Sequence, residues 1–251
     1  MVQYTVANPR RRDVLRSAAG VSTLVVLASM PRAGLAQASG AAPLKIATVG
    51  AGHIGGTLGS LWVKAGHPVM FSSRHPEELK DMVAGLGPLA RAGTPGDAIA
   101  FADVVLLAVP YTAIKQIGQD YGKELATKAL VLDASNPIVA RDGEVATWAR
   151  EKGPGLATEE LIPGAHLVRA FNAVGYMKVR EDSADASKKI GMPMAGDDPH
   201  AIAVASTLVR EAGFEPVLIG PLSMGKYLIP GTPLAGEHTP EEIHQIVAGL
   251  K

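Results

Sequence analysis

The six residues Gly50-Ala51-Gly52-His53-Ile54-Gly55 carry the spacing G-x-G-x-x-G, and their neighbours give that spacing a meaning. Leu44 to Val49 is a short β-rich run that stops at Gly50. From Ile54 to Ala65 the apolar residues Ile54, Leu58, Leu61, Trp62 and Ala65 recur at helical intervals, and Gly66 ends the run. A glycine motif between a strand and a helix predicts a dinucleotide-binding turn, because each glycine has a separate task. The first permits the tight turn, the second lets backbone approach a pyrophosphate, and the third brings helix and strand together. The N–H groups and the positive end of the helix dipole at Ile54–Gly56 then favour phosphates. Gly50, Ala51, Gly52, His53, Ile54 and Gly55 are therefore assigned to the cofactor.

The end of the next strand, Val69-Met70-Phe71, selects among dinucleotides. NAD proteins place a carboxylate about 20 residues after the motif, where it accepts from the adenosine ribose. Here that place, 72 − 50 = 22 residues on, reads Ser72-Ser73-Arg74-His75. Two hydroxyls and a guanidinium suit the 2′-phosphate of NADP, and a charge-assisted hydrogen bond is worth roughly 1.5–3 kcal/mol. Ser72, Ser73 and Arg74 are the expected readers of that phosphate.

Strand and helix patterns continue to alternate. Asp103–Val109 and Ala129–Leu132 are nearly all apolar, as strands covered on both faces are. Pro76–Ala84, Tyr111–Leu125, Pro199–Ala212 and Pro240–Ala248 read as helices; His166–Phe171, Ile190–Ala195 and Pro216–Ile219 read as strands. The stretch from Pro137 to Pro163 is less regular, with turn signals at Asp142-Gly143 and Gly153-Pro154-Gly155. Such alternation implies right-handed βαβ units. The expected fold is α/β: a doubly wound, mostly parallel Rossmann sheet with a small C-terminal addition from about residue 197.

Residues 1–38 read as an address and not as part of that fold. Arg10, Arg11 and Arg12 precede an uncharged stretch from Ser17 to Pro31, and Ala36-Gln37-Ala38 supplies a small-residue cleavage pattern. The arrangement predicts a twin-arginine signal peptide, a mature domain from Ser39 to Lys251, and export to the periplasm or beyond. An apolar run of 15 residues is too short for a membrane span, so no stable membrane anchor is expected. With no cysteine, disulfides, thiolate nucleophiles and cysteine-bound metals are excluded. The 24 basic and 24 acidic side chains cancel, and aromatic residues are 4%, which argues against a nucleic-acid partner.

The segments VGAGHIGGTLGSLWVKAGHPVMFSSRHPEEL, LLAVPY, DASNP, VRAFN, MAGDD and GPLSMGKYL together resemble the NADPH-dependent coenzyme F420 oxidoreductase family. The resemblance runs from about Leu44 to Ile229 and implies a Rossmann domain that moves a hydride between NADPH and a deazaflavin. It implies that Gly50–Gly55, Ser73 and Arg74 hold NADP, and that Val109 and Pro110 pass near the nicotinamide with Asn136 and Pro137. It also implies that Tyr111 and Asn172 face the second substrate, coenzyme F420 or a flavin, and that the chain forms a homodimer. Ala51 lacks the hydroxyl that some relatives carry in the loop, and export is unexpected for such a reaction.

No residue is assigned a catalytic role, because hydride transfer between two planar rings mainly requires positioning. Tyr111-x-x-x-Lys115 has the spacing of the short-chain dehydrogenase pair, but Ala98 stands where their serine would be. The seven histidines form no H-x-H or H-E-x-x-H, so no metal is expected. Three functions stay open: reduction of a planar acceptor such as coenzyme F420 or a flavin; reduction of a small carbonyl compound with Tyr111 or His166 as proton donor; and dinucleotide binding without turnover.

Overall fold

The computed structural model describes residues 42–183, 185 and 188–250. The signal and cleavage patterns expected within residues 1–38 lie outside the described residues. The strands are β1 (Ile46–Val49), β2 (Val69–Ser72), β3 (Ala90–Gly93), β4 (Val104–Leu107), β5 (Leu130–Asp133), β6 (Leu167–Arg169), β7 (Gly191–Gly196) and β8 (Glu215–Gly220). They form one eight-stranded sheet in the order β3-β2-β1-β4-β5-β6-β7-β8. Neighbours are parallel except for β6 and β7, which are antiparallel. The doubly wound α/β sheet expected from the sequence is thus present.

The helices are α1 (His53–Ala65), α2 (Lys80–Leu86), α3 (Pro95–Phe101), α4 (Tyr111–Leu125), α5 (Val139–Asp142), α6 (Glu144–Lys152), α7 (Pro154–Leu161), α8 (Tyr176–Asp182), α9 (Pro199–Glu211) and α10 (Pro240–Gly249). Their ends follow local chemistry. Gly66 stops α1 at φ 102°, a left-handed turn that glycine adopts without strain. Thr94 and Asp97 form a reciprocal capping box on α3, and the Asp198 carboxylate accepts from the amides of His200 and Ala201 at the start of α9.

Both faces of the sheet are covered. On one, Leu58, Trp62 and Val63 of α1 and Ala201, Ala205 and Leu208 of α9 are buried with Ile46, Val104 and Leu132. Trp62 Nε1 donates to the Leu208 carbonyl at 2.9 Å and ties these two helices together. The other face carries α3, α4, α6 and α7, through residues such as Ile99, Ile114, Ala149 and Ala157. The expected C-terminal addition supplies α9, β8 and α10, and β8 continues the sheet, so this part is built onto the domain's own edge. The irregular stretch from Pro137 to Pro163 contains α5, α6 and α7, short helices separated by Gly143 and Gly153 at φ 59° and 91°.

The strand order decides where a ligand can sit. From β1 the chain steps outward to β2 and β3, then crosses back to β4 and proceeds the other way. The loops after β1 and β4 therefore diverge and open a crevice at the carboxyl ends of the strands. No helix among the described residues is long and apolar enough to cross a membrane.

Candidate dinucleotide site and the groove beside it

The three motif glycines are required for different reasons, and the geometry separates them. Gly50 has φ 95°, and a Cβ there would lie 2.5 Å from the Ala108 carbonyl oxygen. A Cβ on Gly55 would lie 1.9 Å from the Gly50 carbonyl oxygen. Both are demanded by the protein itself. A Cβ on Gly52 would meet nothing within 4 Å. Gly52 therefore leaves open a space that the folded chain does not fill, and this is where a pyrophosphate would approach the backbone. Four residues past Gly55, Gly59 admits the Phe71 ring, which a Cβ would approach to 2.4 Å, so α1 lies close on β2.

Ala51 N donates to the Ser72 carbonyl at 3.0 Å, fixing the loop to the end of β2. Gly52 caps α1 without any side-chain hydrogen bond, and the first turn holds no acidic residue. Its amides and positive dipole end are left for an anion. His53 is exposed on this turn, whereas Ile54 is half-buried.

A cavity of about 850 Å³ runs from this loop over the ends of β2 and β4. Ser73 and Arg74 line its adenosine end. Ser73 Oγ accepts from His75 N at 3.1 Å, which leaves the hydroxyl hydrogen for a phosphate oxygen. Arg74 is exposed and forms no ion pair among the described residues. Ser72 lines the cavity too, yet its hydroxyl is not free for a phosphate. Its side chain is wholly buried and its hydroxyl donates to the Thr48 carbonyl at 2.9 Å, so it braces β1 against β2. Glu78, Thr112, Gln116 and Tyr121 also line the cavity and were missed. Glu78 lies beyond the strand end where a ribose carboxylate normally stands, and the other three belong to no motif.

At the other end of the crevice, Val109 and Pro110 line the same cavity. Tyr111 does not face it. Its ring is buried, and its hydroxyl donates to the Pro154 carbonyl at 2.8 Å and meets Thr158 Oγ1 at 2.9 Å. Burial, reinforced by the Asp133 carboxylate, pushes the phenol well above its ordinary value. This corrects both roles considered for Tyr111, substrate contact and proton donation. His166, the other considered donor, precedes β6 and pairs with Asp198, at the end of the sheet opposite the crevice.

Asn136, Pro137 and Asn172 line neither cavity described here. They interlock the loops after β5 and β6. Asn136 Nδ2 donates to the Asn172 carbonyl at 2.8 Å, and Asn172 Nδ2 donates to the Ser135 carbonyl at 3.1 Å. Pro137 is buried, and Phe171, just before Asn172, holds φ 64°. The Oδ1 atoms of both asparagines are buried without a hydrogen-bond partner. Nature rarely leaves such acceptors unpaired, and they tend to mark functional ground.

A second cavity, about 730 Å³, opens on the opposite side of the glycine loop and shares Ala51 and Gly52 with the first. It runs along the outward side of α1 between α2 and α8, past Thr57, Ser60, Lys64, Met82 and Arg180. At its mouth the rings of His53 and Tyr176 stack at 4.3 Å with 9° between their planes. Tyr176 carries no motif, and its partner lies far away in the sequence. Among the described residues no cluster of three His, Asp or Glu side chains could hold a metal.

The model of the family described as NADP oxidoreductase, coenzyme F420-dependent, matches residues 45–137. The chain is a Rossmann-fold relative of that family. A hypothetical protein, SMa0349 of Sinorhizobium meliloti, is 28% identical and superposes with TM-score 0.67, over 79% of this chain and 96% of that one. A protein of Arthrobacter sp. FB24 assigned as an F420-dependent NADP-reductase is 20% identical with TM-score 0.62, over 73% and 87% of the two chains. Mycobacterium tuberculosis 3-hydroxyisobutyrate dehydrogenase shares the fold at 20% identity and TM-score 0.52, over 74% of this chain and 57% of its own. Glycerol-3-phosphate dehydrogenase [NAD(P)+] of Rhizobium etli is 25% identical over 203 residues, 67% of this chain; the chain spans 62% of that protein's length.

Proposed function

We propose that this chain is an NADPH-dependent oxidoreductase that reduces a small compound at a polarised C=O or C=N bond. The observation that carries the nucleotide half is the empty space at Gly52, beside an uncapped helix start and an Arg74 with no ion-pair partner among the described residues. Arg74 and Ser73 would hold the 2′-phosphate, Gly50–Gly55 the pyrophosphate, and Val109 with Pro110 would border the nicotinamide half. When bound, the reduced nicotinamide supplies a hydride to the acceptor.

The acceptor assignment departs from the planar deazaflavin or flavin favoured on the sequence. The matched family region ends at Pro137, before β6 and α8, so it speaks for the nucleotide half of the crevice. Relatives spanning 67–74% of the chain include, beside the F420-dependent NADP-reductase of Arthrobacter, dehydrogenases of glycerol-3-phosphate and 3-hydroxyisobutyrate and an imine reductase of Bacillus cereus. Reduction of C=O or C=N needs a proton as well as a hydride. With Tyr111 and His166 turned elsewhere, His53 and Tyr176 are the proton-bearing side chains beside the loop in the second cavity.

Calorimetric titration with NADPH and NADH tests the nucleotide assignment. Arg74→Ala should weaken NADPH roughly tenfold or more and leave NADH unchanged, the loss of one charge-assisted hydrogen bond. Unchanged NADPH affinity would refute the assignment. NADPH oxidation assayed with small ketones, cyclic imines, flavin mononucleotide and a deazaflavin tests the acceptor; turnover confined to the deazaflavin or flavin would overturn the small-acceptor reading. The export reading, resting on Arg11-Arg12 and Ala36-Gln37-Ala38, is tested by N-terminal sequencing of protein from the periplasm, with Ser39 as the expected first residue.

A further inference from the structure

Ser135 lies just past the end of β5, is 2% exposed, and has a partner for each of its polar atoms. Its N–H donates to Asp133 Oδ1 at 2.8 Å, and its carbonyl accepts from Arg169 Nη2 and Asn172 Nδ2, each at 3.1 Å. These partners belong to β5, β6 and the loop after β6. The hydroxyl serves the other neighbour, β4: it donates to the Leu107 carbonyl at 3.3 Å and accepts from Val109 N at 3.4 Å. One residue thus joins the buried charges of β5 and β6 to the loop after β4.

Val109 is where these contacts meet the ligand site. It lines the nucleotide cavity, and its N–H has no other acceptor among the described residues. Pro110 follows with no N–H to give, so the Ser135 hydroxyl is what ties the tip of the loop to β5. Val109 Cγ1 also lies 3.0 Å from where a Cβ on Gly50 would stand, so the same residue rests against the glycine loop. On the other side of Ser135, the Asp133 and Arg169 side chains have no exposed surface. Apolar side chains of similar volume hold strands together as well as a buried ion pair does, and often better. A pair kept at the crevice end of β5 and β6 therefore needs a reason besides stability, and fixing the main chain of Ser135 supplies one.

We infer that Ser135 is a positioning residue for the nicotinamide half of the nucleotide. Asp133 and Arg169 set its main chain, and its hydroxyl sets Val109 where that residue borders the nicotinamide. The inference rests on the reading of the chain as an NADPH-dependent oxidoreductase with Val109 and Pro110 beside that half. Ser73 and Arg74 share no hydrogen bond with this network, and β1 and β4 stand between β2 and β5 in the sheet. The adenosine half is therefore held independently, and the two halves can be disturbed one at a time.

Two ligands separate the halves: NADPH, and adenosine 2′,5′-bisphosphate, which carries the 2′-phosphate but no nicotinamide. Calorimetric titration of the full-length protein measures the affinity of each. Ser135→Ala removes the hydroxyl and leaves the Val109 N–H without its acceptor. NADPH affinity should fall roughly fivefold or more, while bisphosphate affinity stays within about twofold, which also shows that the variant folds. Arg74→Ala, by contrast, should weaken both ligands. The joint variant Asp133→Leu with Arg169→Met supplies the second arm. It buries no charge, yet the main chain of Ser135 loses two of its partners, so the bisphosphate should bind as in the parent and NADPH more weakly. A role in stability alone predicts parental binding of both ligands by the joint variant. In either variant, affinities that stay unchanged or fall by the same factor overturn the proposal, as does a parent protein that binds the two ligands equally well. In each case the parent still binds nucleotide and that reading stands. If the parent binds neither ligand, it is the nucleotide reading that fails, and this inference fails with it.

Discussion

Asp133 and Arg169 are register partners at the carboxyl ends of β5 and β6, and they form an ion pair with no exposed surface on either side chain. The pair is well supplied with further partners. Thr158 Oγ1 donates to Asp133 Oδ2 at 2.8 Å, Ser135 N donates to Asp133 Oδ1 at 2.8 Å, and Arg169 Nη2 donates to the Ser135 carbonyl at 3.1 Å. The same Ser135 carbonyl accepts from Asn172, so the charge pair underlies the loops that border the crevice.

Removing one member leaves a buried charge without compensation, which costs about 3–5 kcal/mol. Arg169→Met is therefore expected to lower stability by that amount in chemical denaturation. The joint change Asp133→Leu with Arg169→Met should recover most of it, because neither desolvated charge then remains. A single variant as stable as the parent would show that the pair contributes little.

The glycine loop offers a sharper separation. Gly55→Ala drives a methyl group into the Gly50 carbonyl and should destabilise the fold by about 2–4 kcal/mol. Gly52→Ala has room in the free protein, so its denaturation midpoint should hardly move, yet its NADPH affinity should fall roughly tenfold or more. A Gly52→Ala protein that binds NADPH normally would place the pyrophosphate elsewhere.

The spacing of Gly50, Gly52 and Gly55 located the crevice, because glycine reports backbone conformation directly. Helix α4 was expected over Tyr111–Leu125 and is found there, since its apolar residues recur with helical period. β3 was missed: Ala90-Arg91-Ala92-Gly93 is an edge strand with no β-branched or aromatic residue. α5–α7 were missed because each is too short to show a period between its glycine breaks. The antiparallel course of β7 left no trace either, since a strand's direction depends on how its connection packs. The inward turn of the Ser72 and Tyr111 hydroxyls was equally hidden, as residue type does not reveal which carbonyl a hydroxyl will find.

Asp198 gives a prediction in pH. The amides of Ala201 and His200, followed by the His166 ring, hold its carboxyl below the ordinary value of 3.8. A depressed folded value means that the ionised form stabilises the native state above 3.8, and that this contribution is lost as pH falls through the folded value. Asp198→Asn keeps a capping oxygen but removes the charge. Its stability should trail that of the parent at neutral pH, and the gap should narrow as the solution is acidified below 3.8. A gap independent of pH would assign the effect to packing.

Tyr111 allows the acid–base question to be closed by one substitution. Its hydroxyl joins α4 to the start of α7 through the Pro154 carbonyl and Thr158, and it has no exposed surface. Tyr111→Phe keeps the ring and removes the donor, leaving the buried Pro154 carbonyl without that partner. The expected cost is about 1–3 kcal/mol of stability, read by denaturation. Turnover is expected to be unaffected at temperatures where the variant is folded, with an unchanged pH–rate profile. A proton donor would behave otherwise: its removal lowers kcat by roughly 10²–10⁴ and shifts the acidic or basic limb of the profile. Loss of a limb in Tyr111→Phe, with the fold intact by denaturation, would return Tyr111 to the chemistry and require the α4–α7 contact to open during turnover.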